Sequence, residues 1–348
     1  MKMKRTYRIA FGIMLFVCGN ASWAQDIHFS QFSETPVYIN PAMSGMFNGD
    51  QRIILNYKNQ WASIGAPYRT FALSFDAGLL KKHDNAHLGV GIFVFNDRAG
   101  DNEMGITQAL ASVSGIIKVG SGQRLSAGIQ GGYAQRSLST DNMQWGEQYN
   151  GLSYDSSLPN GEPGTFNSFG YADMAGGLAY SYVRDETNLS SNDNFKFKIG
   201  GSFSHFTRPA LEFYNGADKL GFKYIGHMNL SFGIQHTNTA VQPAVFYAQQ
   251  AGSREIVGGC MFRYTLREGS KYTGLIDETA LSIGAYYRFN DAVIPGILLE
   301  YSNFAFGLSY DINASKLKAA SNARGGIEFS LRYINPNPFK QTQSKSRI

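Results

Sequence analysis

His83 and His87 are the one close pair among the six histidines of the chain. On a helix, a spacing of four would put both imidazoles on one face, where they could share a metal ion. Here the pair falls in a turn between two segments of alternating apolar residues and reads as two solvated side chains, so no metal site is expected. Two sets of carboxylates, Asp76 with Glu300 and Asp311 with Glu328, could be imagined as acid and base. Arginines share their face, however, and ion pairs that keep a polar interior together are the simpler use. Cys260 lies on the same face as Ile256, Phe262 and Tyr264, where a thiol acts as a small hydrophobe. Gly89-Val90-Gly91 begins like a dinucleotide fingerprint but lacks the third glycine and the helix, which leaves a packing or curvature feature inside a strand. There is no G-x-S-x-G and no HExxH. The reading is of a protein that is not an enzyme, with no catalytic residues and no cofactor.

The elements that position these side chains are strands. Phe304, Phe306, Leu308, Tyr310 and Ile312 alternate with Ala305, Gly307, Ser309, Asp311 and Asn313, and Ile327, Phe329, Leu331 and Tyr333 alternate with Glu328, Ser330 and Arg332. A period of two is a strand period. The pattern recurs in Phe71 to Leu79, Leu125 to Tyr133 and Phe195 to Ile199. Turn residues divide the chain into about fourteen such segments: 51–59, 68–80, 86–98, 103–118, 122–136, 171–186, 194–206, 220–236, 239–250, 254–267, 279–289, 292–302, 303–313 and 325–334. The composition agrees with an all-β chain, since Gly (39), Tyr (20) and Phe (25) are abundant and only 16% of the residues are charged. A net charge of +5, spread along the chain, gives nucleic-acid binding no support.

Lys2, Lys4, Arg5 and Arg8 precede an apolar run from Ile9 to Val17 and then Ser22-Trp23-Ala24, the form of a cleaved export signal over residues 1–24. A lipoprotein signal at Cys18 is the minor alternative, because Val17 is bulky. No later stretch approaches the about 18 apolar residues of a spanning helix. An exported all-β chain is then a β-sandwich or a transmembrane barrel. The polar face carries Asp76, Lys196, Lys198, Arg263, Arg267, Arg288, Glu300, Asp311, Glu328 and Arg332 among many glycines and serines. Small residues suit a crowded interior better than a solvated face. Tyr57, Trp61, Tyr68, Tyr301 and Tyr333 stand near strand ends, where a lipid interface places aromatic rings. The pattern therefore favours a transmembrane antiparallel β-barrel over 51–334. Before it lies an irregular segment, 25–50, that could enter the lumen as a plug, and after it a disordered basic tail, 335–348. An even strand count puts both ends of the barrel on the periplasmic side, and the connections 137–170, 207–219 and 314–324 outside. The connection 268–278 is long on the wrong side, so the count could be off by a hairpin.

Ordered motifs then carry a resemblance. Gln25-Asp26 to Phe32, Tyr38-Ile39-Asn40-Pro41-Ala42-Met43-Ser44-Gly45, His205-x-x-Arg208-Pro209, Gln242-Pro243-Ala244-Val245, Gly284 to Ala292, Tyr310 to Leu317 and Gly325-Gly326-Ile327-Glu328 together resemble the PorP/SprF family of Bacteroidetes outer-membrane proteins. The resemblance implies a monomeric outer-membrane barrel working with the type IX secretion system. Its implied partners are the outer-membrane lipid and either the periplasmic ring proteins of the core trans-envelope complex or one large secreted adhesin of the gliding-motility kind, held through its C-terminal domain. A channel or carrier for small or hydrophobic compounds is the alternative; a filled lumen would favour docking, and a continuous water path would favour transport. The motif positions Asn40, Pro41, Gly45, Arg288, Asp291, Tyr310, Asp311, Ser315 and Glu328 are carried over as candidates for structural or partner-contact roles.

Overall fold

The computed structural model describes residues 26–335 apart from 63–66, 82–84, 101–103, 139–143, 162–167, 185–191, 193, 212–218, 269–277 and 316–320. The export-signal reading of 1–24, the histidine pair (through His83) and all but the first residue of the tail 335–348 lie outside the described residues.

Fourteen antiparallel strands form the wall: β1 (Gln51–Gln60), β2 (Tyr68–Leu79), β3 (Ala86–Ala99), β4 (Met104–Gly120), β5 (Gln123–Ser137), β6 (Phe169–Arg184), β7 (Phe195–Ser204), β8 (Lys223–Gly233), β9 (Thr239–Gln250), β10 (Ser253–Arg267), β11 (Thr279–Arg288), β12 (Ala292–Tyr301), β13 (Phe304–Asn313) and β14 (Arg324–Asn335). Each pairs with its neighbours in sequence, and β1 pairs with β14 from Gln51↔Asn335 to Gln60↔Gly326, which closes the barrel. Closure leaves no unpaired edge, the condition for a sheet to sit in lipid. No helix among the described residues is long and apolar enough to cross a membrane. The strand expected at 194–206 stops at Ser204 because His205 takes a left-handed backbone (φ 66°) that an extended chain cannot continue. The count of fourteen stands, with no hairpin lost or gained.

Alternation sorts the side chains as a barrel requires. On β13 Phe304, Phe306, Leu308, Tyr310 and Ile312 are exposed on the outer surface, while Ala305, Ser309, Asp311 and Asn313 are buried inside. β1 does the same, with Ile53 and Tyr57 outside and Arg52, Ile54, Asn56, Lys58 and Gln60 inside. Outward aromatic rings gather at both ends. Trp61 meets Tyr68 edge-on at 5.2 Å where β1 turns into β2, and Phe304 lies 4.9 Å from Tyr333 at the opposite end. These are the two interfacial girdles of a membrane barrel.

Residues 26–50 fill much of the lumen. They form single turns at Phe32–Glu34, Pro36–Ile39 and Pro41–Met43, two of which begin with a proline where its missing N–H costs nothing. Hydrogen bonds or ring contacts tie this plug to β1 through β9, β11, β13 and β14. Val257 of β10 and Ile294 of β12 join the apolar cluster around Phe32 and Ile39. The wall makes room with a belt of small residues in register across five strands: Gly89 of β3 faces Ser114 of β4, which faces Gly128 of β5, then Gly177 of β6 and Ser202 of β7. The serine hydroxyls donate to plug carbonyls, Ser114 to Ser44 O at 2.7 Å and Ser202 to Ile39 O at 2.5 Å, and Ser126 beside the belt donates to Ala42 O at 2.7 Å. The glycines admit the plug backbone itself. A Cβ on Gly128 would lie 2.6 Å from Ala42 N and Pro41 C, and one on Gly89 would strike Ser44 O.

Gly128→Ala is therefore expected to destabilise the protein by about 1–3 kcal/mol through overpacking and to make residues 26–50 accessible to added protease while the barrel remains heat-modifiable in detergent. Gly226→Ala, where a Cβ meets nothing within 4 Å, should change stability by no more than about 0.5 kcal/mol. Equal protease resistance in the two variants would show that the belt does not seat the plug.

Candidate functional site

Three anchors hold the plug along its length. The first surrounds Ser30. Its Oγ donates to Asp311 Oδ1 at 2.6 Å and accepts from Arg288 Nη2 at 2.8 Å. Glu328 takes the backbone N–H of Ser30 at 2.7 Å and that of Gln31 at 3.0 Å, one on each carboxylate oxygen. Lys58, the register partner of Glu328 across the β1–β14 seam, donates to His28 O at 3.2 Å and lies 3.7 Å from Asp311. Arg288 also reaches Asp311 at 3.0 Å, Asp291 at 2.9 Å and Glu255 at 3.1 Å. Arg288, Asp311 and Glu328 are buried and each has several partners, and in such a setting charge-assisted bonds are strong and an unpaired charge is expensive. Burial and the Lys58 and Arg288 charges hold the His28 imidazole well below its ordinary pKa, so it adds no further cation.

The second anchor fixes the start of the plug. His205, placed by its left-handed turn just past β7, holds Asp26 at 2.8 Å through Nε2 and Asp173 at 2.8 Å through Nδ1. Lys223 adds a bond to Asp26 at 3.3 Å and another to the Tyr38 hydroxyl at 3.1 Å, with its ammonium 4.9 Å from the Tyr38 ring centre. Burial pushes the His205 pKa down, but the two carboxylates outweigh it and raise the value to about 9. Burial likewise pushes the Asp26 carboxyl up, and Lys223 and His205 overcome this to hold it well below the usual carboxylate range. At neutral pH His205 is therefore an imidazolium facing the Asp26 carboxylate.

The third anchor is the heel of the plug, Asn40 to Gly45. Asn40 is fully buried, and its Nδ2 reaches Leu178 O (2.9 Å), Gly201 O (3.3 Å) and His227 Nε2 (3.1 Å) while its Oδ1 accepts from Ala42 N (2.9 Å). Gly45 turns with φ 70°, which favours glycine, and donates its N–H to Asp76 Oδ2 at 2.8 Å. Asp76 is held in turn by a two-pronged bond from Arg52, its register partner on β1.

Of the positions singled out in the sequence, Arg288, Asp291, Asp311 and Glu328 come together at the first anchor, and the backbone N–H of Ser315 joins them by donating to Asp291 O at 3.0 Å. Asn40, Pro41 and Gly45 belong to the heel. Tyr310 does not join them, since it faces outward towards lipid. The carboxylates considered as acid–base sets are all engaged by cations or backbone donors: Asp76 by Arg52, Glu300 by Arg263 and Arg332, Asp311 by Arg288, Glu328 by backbone N–H groups. Sequence reasoning missed Ser30, Arg52, Lys58, Asp173 and Lys223. The signal for two of them was available, because Arg52, Asn56, Lys58 and Gln60 alternate with Ile53, Leu55 and Tyr57 and so share the inner face of the first strand.

Arg288→Met should cost about 3–5 kcal/mol, the penalty for leaving buried carboxylates without their cation, read as a lowered urea midpoint in lipid vesicles. Arg288→Met combined with Asp311→Leu should recover part of the loss. His205 contributes its full share of stability below pH 6.5, its ordinary value, and loses it as pH rises through about 9. Amide exchange in residues 26–31 should then accelerate between pH 7 and pH 10 beyond the intrinsic rate. In His205→Gln that excess should vanish.

Residues 21–333 match the family model described as type IX secretion system membrane protein PorP/SprF. No curated protein matches the sequence. Among solved structures, BamA from Haemophilus ducreyi lacking POTRA domains 1-3 is similar with 11% identity, 82% of this chain and 70% of that chain covered, and a TM-score of 0.42. The TodX deltaS2S3 mutant monoaromatic hydrocarbon channel gives 10% identity, 86% and 94% coverage and a TM-score of 0.44. The beta domain of the Bordetella autotransporter BrkA gives 10% identity, 82% and 99% coverage and a TM-score of 0.36. At such scores these likenesses add nothing to the topology read from the chain. The family match spans nearly the whole sequence, and with the closed, lipid-facing wall it leads to one conclusion: the chain belongs to the PorP/SprF family and is an outer-membrane component of type IX secretion.

Proposed function

We propose that the protein is a non-enzymatic docking component of type IX secretion, a barrel whose surface and inner end bind other components while its lumen does not conduct. In this reading it supports secretion or surface attachment of cargo, engaging either the periplasmic ring proteins or the C-terminal domain of one large secreted adhesin. The chain divides into an export signal (1–24), a plug (25–50), the barrel (51–334) and a tail (335–348). The carried-over motif positions other than Tyr310 serve to hold the plug, and Tyr310 serves the lipid interface.

The observation that supports docking over transport is the filling of the lumen. Between residues 26–39 and strands β8 to β10 lies a void of about 30 Å³, room for about two waters. A transport path would have to cross this layer. Within it Ser30 is held by Asp311 and Arg288, and Asp26 by His205.

Two measurements test the reading. In planar bilayers the intact protein should give no ion conductance, and deletion of residues 26–48 should produce steady openings; an intact protein that conducts would move it to the channel class. Mild-detergent capture of the tagged protein from native outer membranes should bring down ring proteins or one large surface protein, identified by mass spectrometry. Recovery of neither would count against docking.

A further inference from the structure

The two halves of the lumen differ. Towards the β1–β2 turn the plug and wall meet closely, but towards the end where β1 begins and β14 finishes they separate around a cavity of about 410 Å³, within the size range of small-ligand pockets. Lys196 and Lys198 of β7 line it, two residues apart and therefore on one face of the strand. Among the described residues neither lysine has a carboxylate within 4 Å. The anions nearby are taken: Glu300 is shared by Arg263 and Arg332, and Glu34 binds Arg332. The cavity therefore carries two ammonium groups with no carboxylate at ion-pair distance. Lys196 is exposed at its rim and Lys198 is half-buried deeper in.

The opposite wall supplies donors without partners. The hydroxyls of Ser282 on β11 and Ser309 on β13 are buried, 1% and 4% exposed for the residues, and neither has a hydrogen-bond partner. Both residues line the same cavity, as does Asn229, whose Nδ2 is held by Ser33 while its Oδ1 is unpartnered. Buried polar groups are normally satisfied, and the two unsatisfied hydroxyl donors of Ser282 and Ser309 beside unpaired cations describe a site shaped for something else. Ammonium and hydroxyl groups are both donors, and an oxyanion is the acceptor they share. Phe32, Met261, Ile294 and Leu298 make the rest of the lining apolar.

We propose that this cavity binds an oxyanion, a carboxylate or phosphate, carried on a small apolar group and entering from the end of the barrel where β1 begins. Lys196 and Lys198 hold the charge, Ser282 and Ser309 complete its hydrogen bonds, and the apolar lining takes the body of the ligand. The site is independent of which secretion component the barrel docks.

The test uses the full chain in detergent, with binding followed by titration calorimetry against three probes: 4-phenylbutyrate, its neutral amide, and inorganic phosphate. The intact protein should bind the carboxylate more tightly than phosphate alone and should not bind the amide. Lys196→Gln with Lys198→Gln should weaken the carboxylate about tenfold or more, the loss expected when charged hydrogen bonds are removed. Lys118→Gln, an exposed lysine elsewhere, should leave it unchanged, with heat-modifiable migration confirming that every variant is folded. Equal binding of the amide, unaltered binding by the double variant, or no binding of the carboxylate at millimolar concentration would each overturn the proposal. Phosphate binding as tightly as 4-phenylbutyrate would overturn the apolar half of it.

Discussion

A closed strand wall faces lipid on one side, so every group that lipid rejects must turn inward, and the interior has to satisfy them. This constraint governs the rest of the molecule. Arg52, Lys58, Asp76, Arg288, Asp311 and Glu328 all point into a space with little water. Pairing along the wall accounts for only part of their capacity, as in Arg52 with Asp76. The remainder is met by the plug. Ser30 supplies one hydroxyl between Asp311 and Arg288 and one N–H to Glu328, and Gly45 supplies an N–H to Asp76. A wall of buried charges and a plug that offers them backbone donors are therefore two halves of one hydrogen-bonded interior.

The same constraint explains the composition of the wall. Long charged side chains need small neighbours to lie across, and Ala305 sits in register between Glu300 and Arg332, which meet over it at 3.1 Å. The plug backbone needs still more room, which the register-aligned glycines and serines from β3 to β7 provide. Glycine is a poor strand residue on entropic grounds. Its abundance here follows from what the wall has to admit.

Much of this was legible in the sequence. Strict alternation on the last strands gave the sheet, because a period of two admits no other regular element, and turn residues along the chain gave the count of strands. The small polar face pointed to a crowded interior, and Gly89-Val90-Gly91 read as a packing feature, which the seat of Ser44 against Gly89 and Gly91 makes concrete. What pattern could not supply was contact across the lumen. Ser30 and Glu328 are far apart in the chain and share no local spacing, and nothing in residues 26–31 says that they lie beside β11, β13 and β14. His205 was visible only as part of a motif, since its role depends on a left-handed turn and on two carboxylates from distant segments. Tyr310 illustrates the reverse, a residue in a recognisable motif whose strand parity sends it to the other side of the wall.

The anchor at Ser30 also ties the plug to the seam of the barrel. Its partners Asp311 and Glu328 lie on the last two strands, and Lys58 and Glu328 face each other across the seam where the first strand meets the last. Residues 28–31 are thus gripped by side chains of the first strand and of the last two, at the joint that closes the cylinder. Without the plug Glu328 would lose the N–H groups of Ser30 and Gln31 at that joint, while Lys58 would keep Asp311. The seam of the barrel and the seat of its plug are therefore one set of bonds, so that neither can loosen without the other.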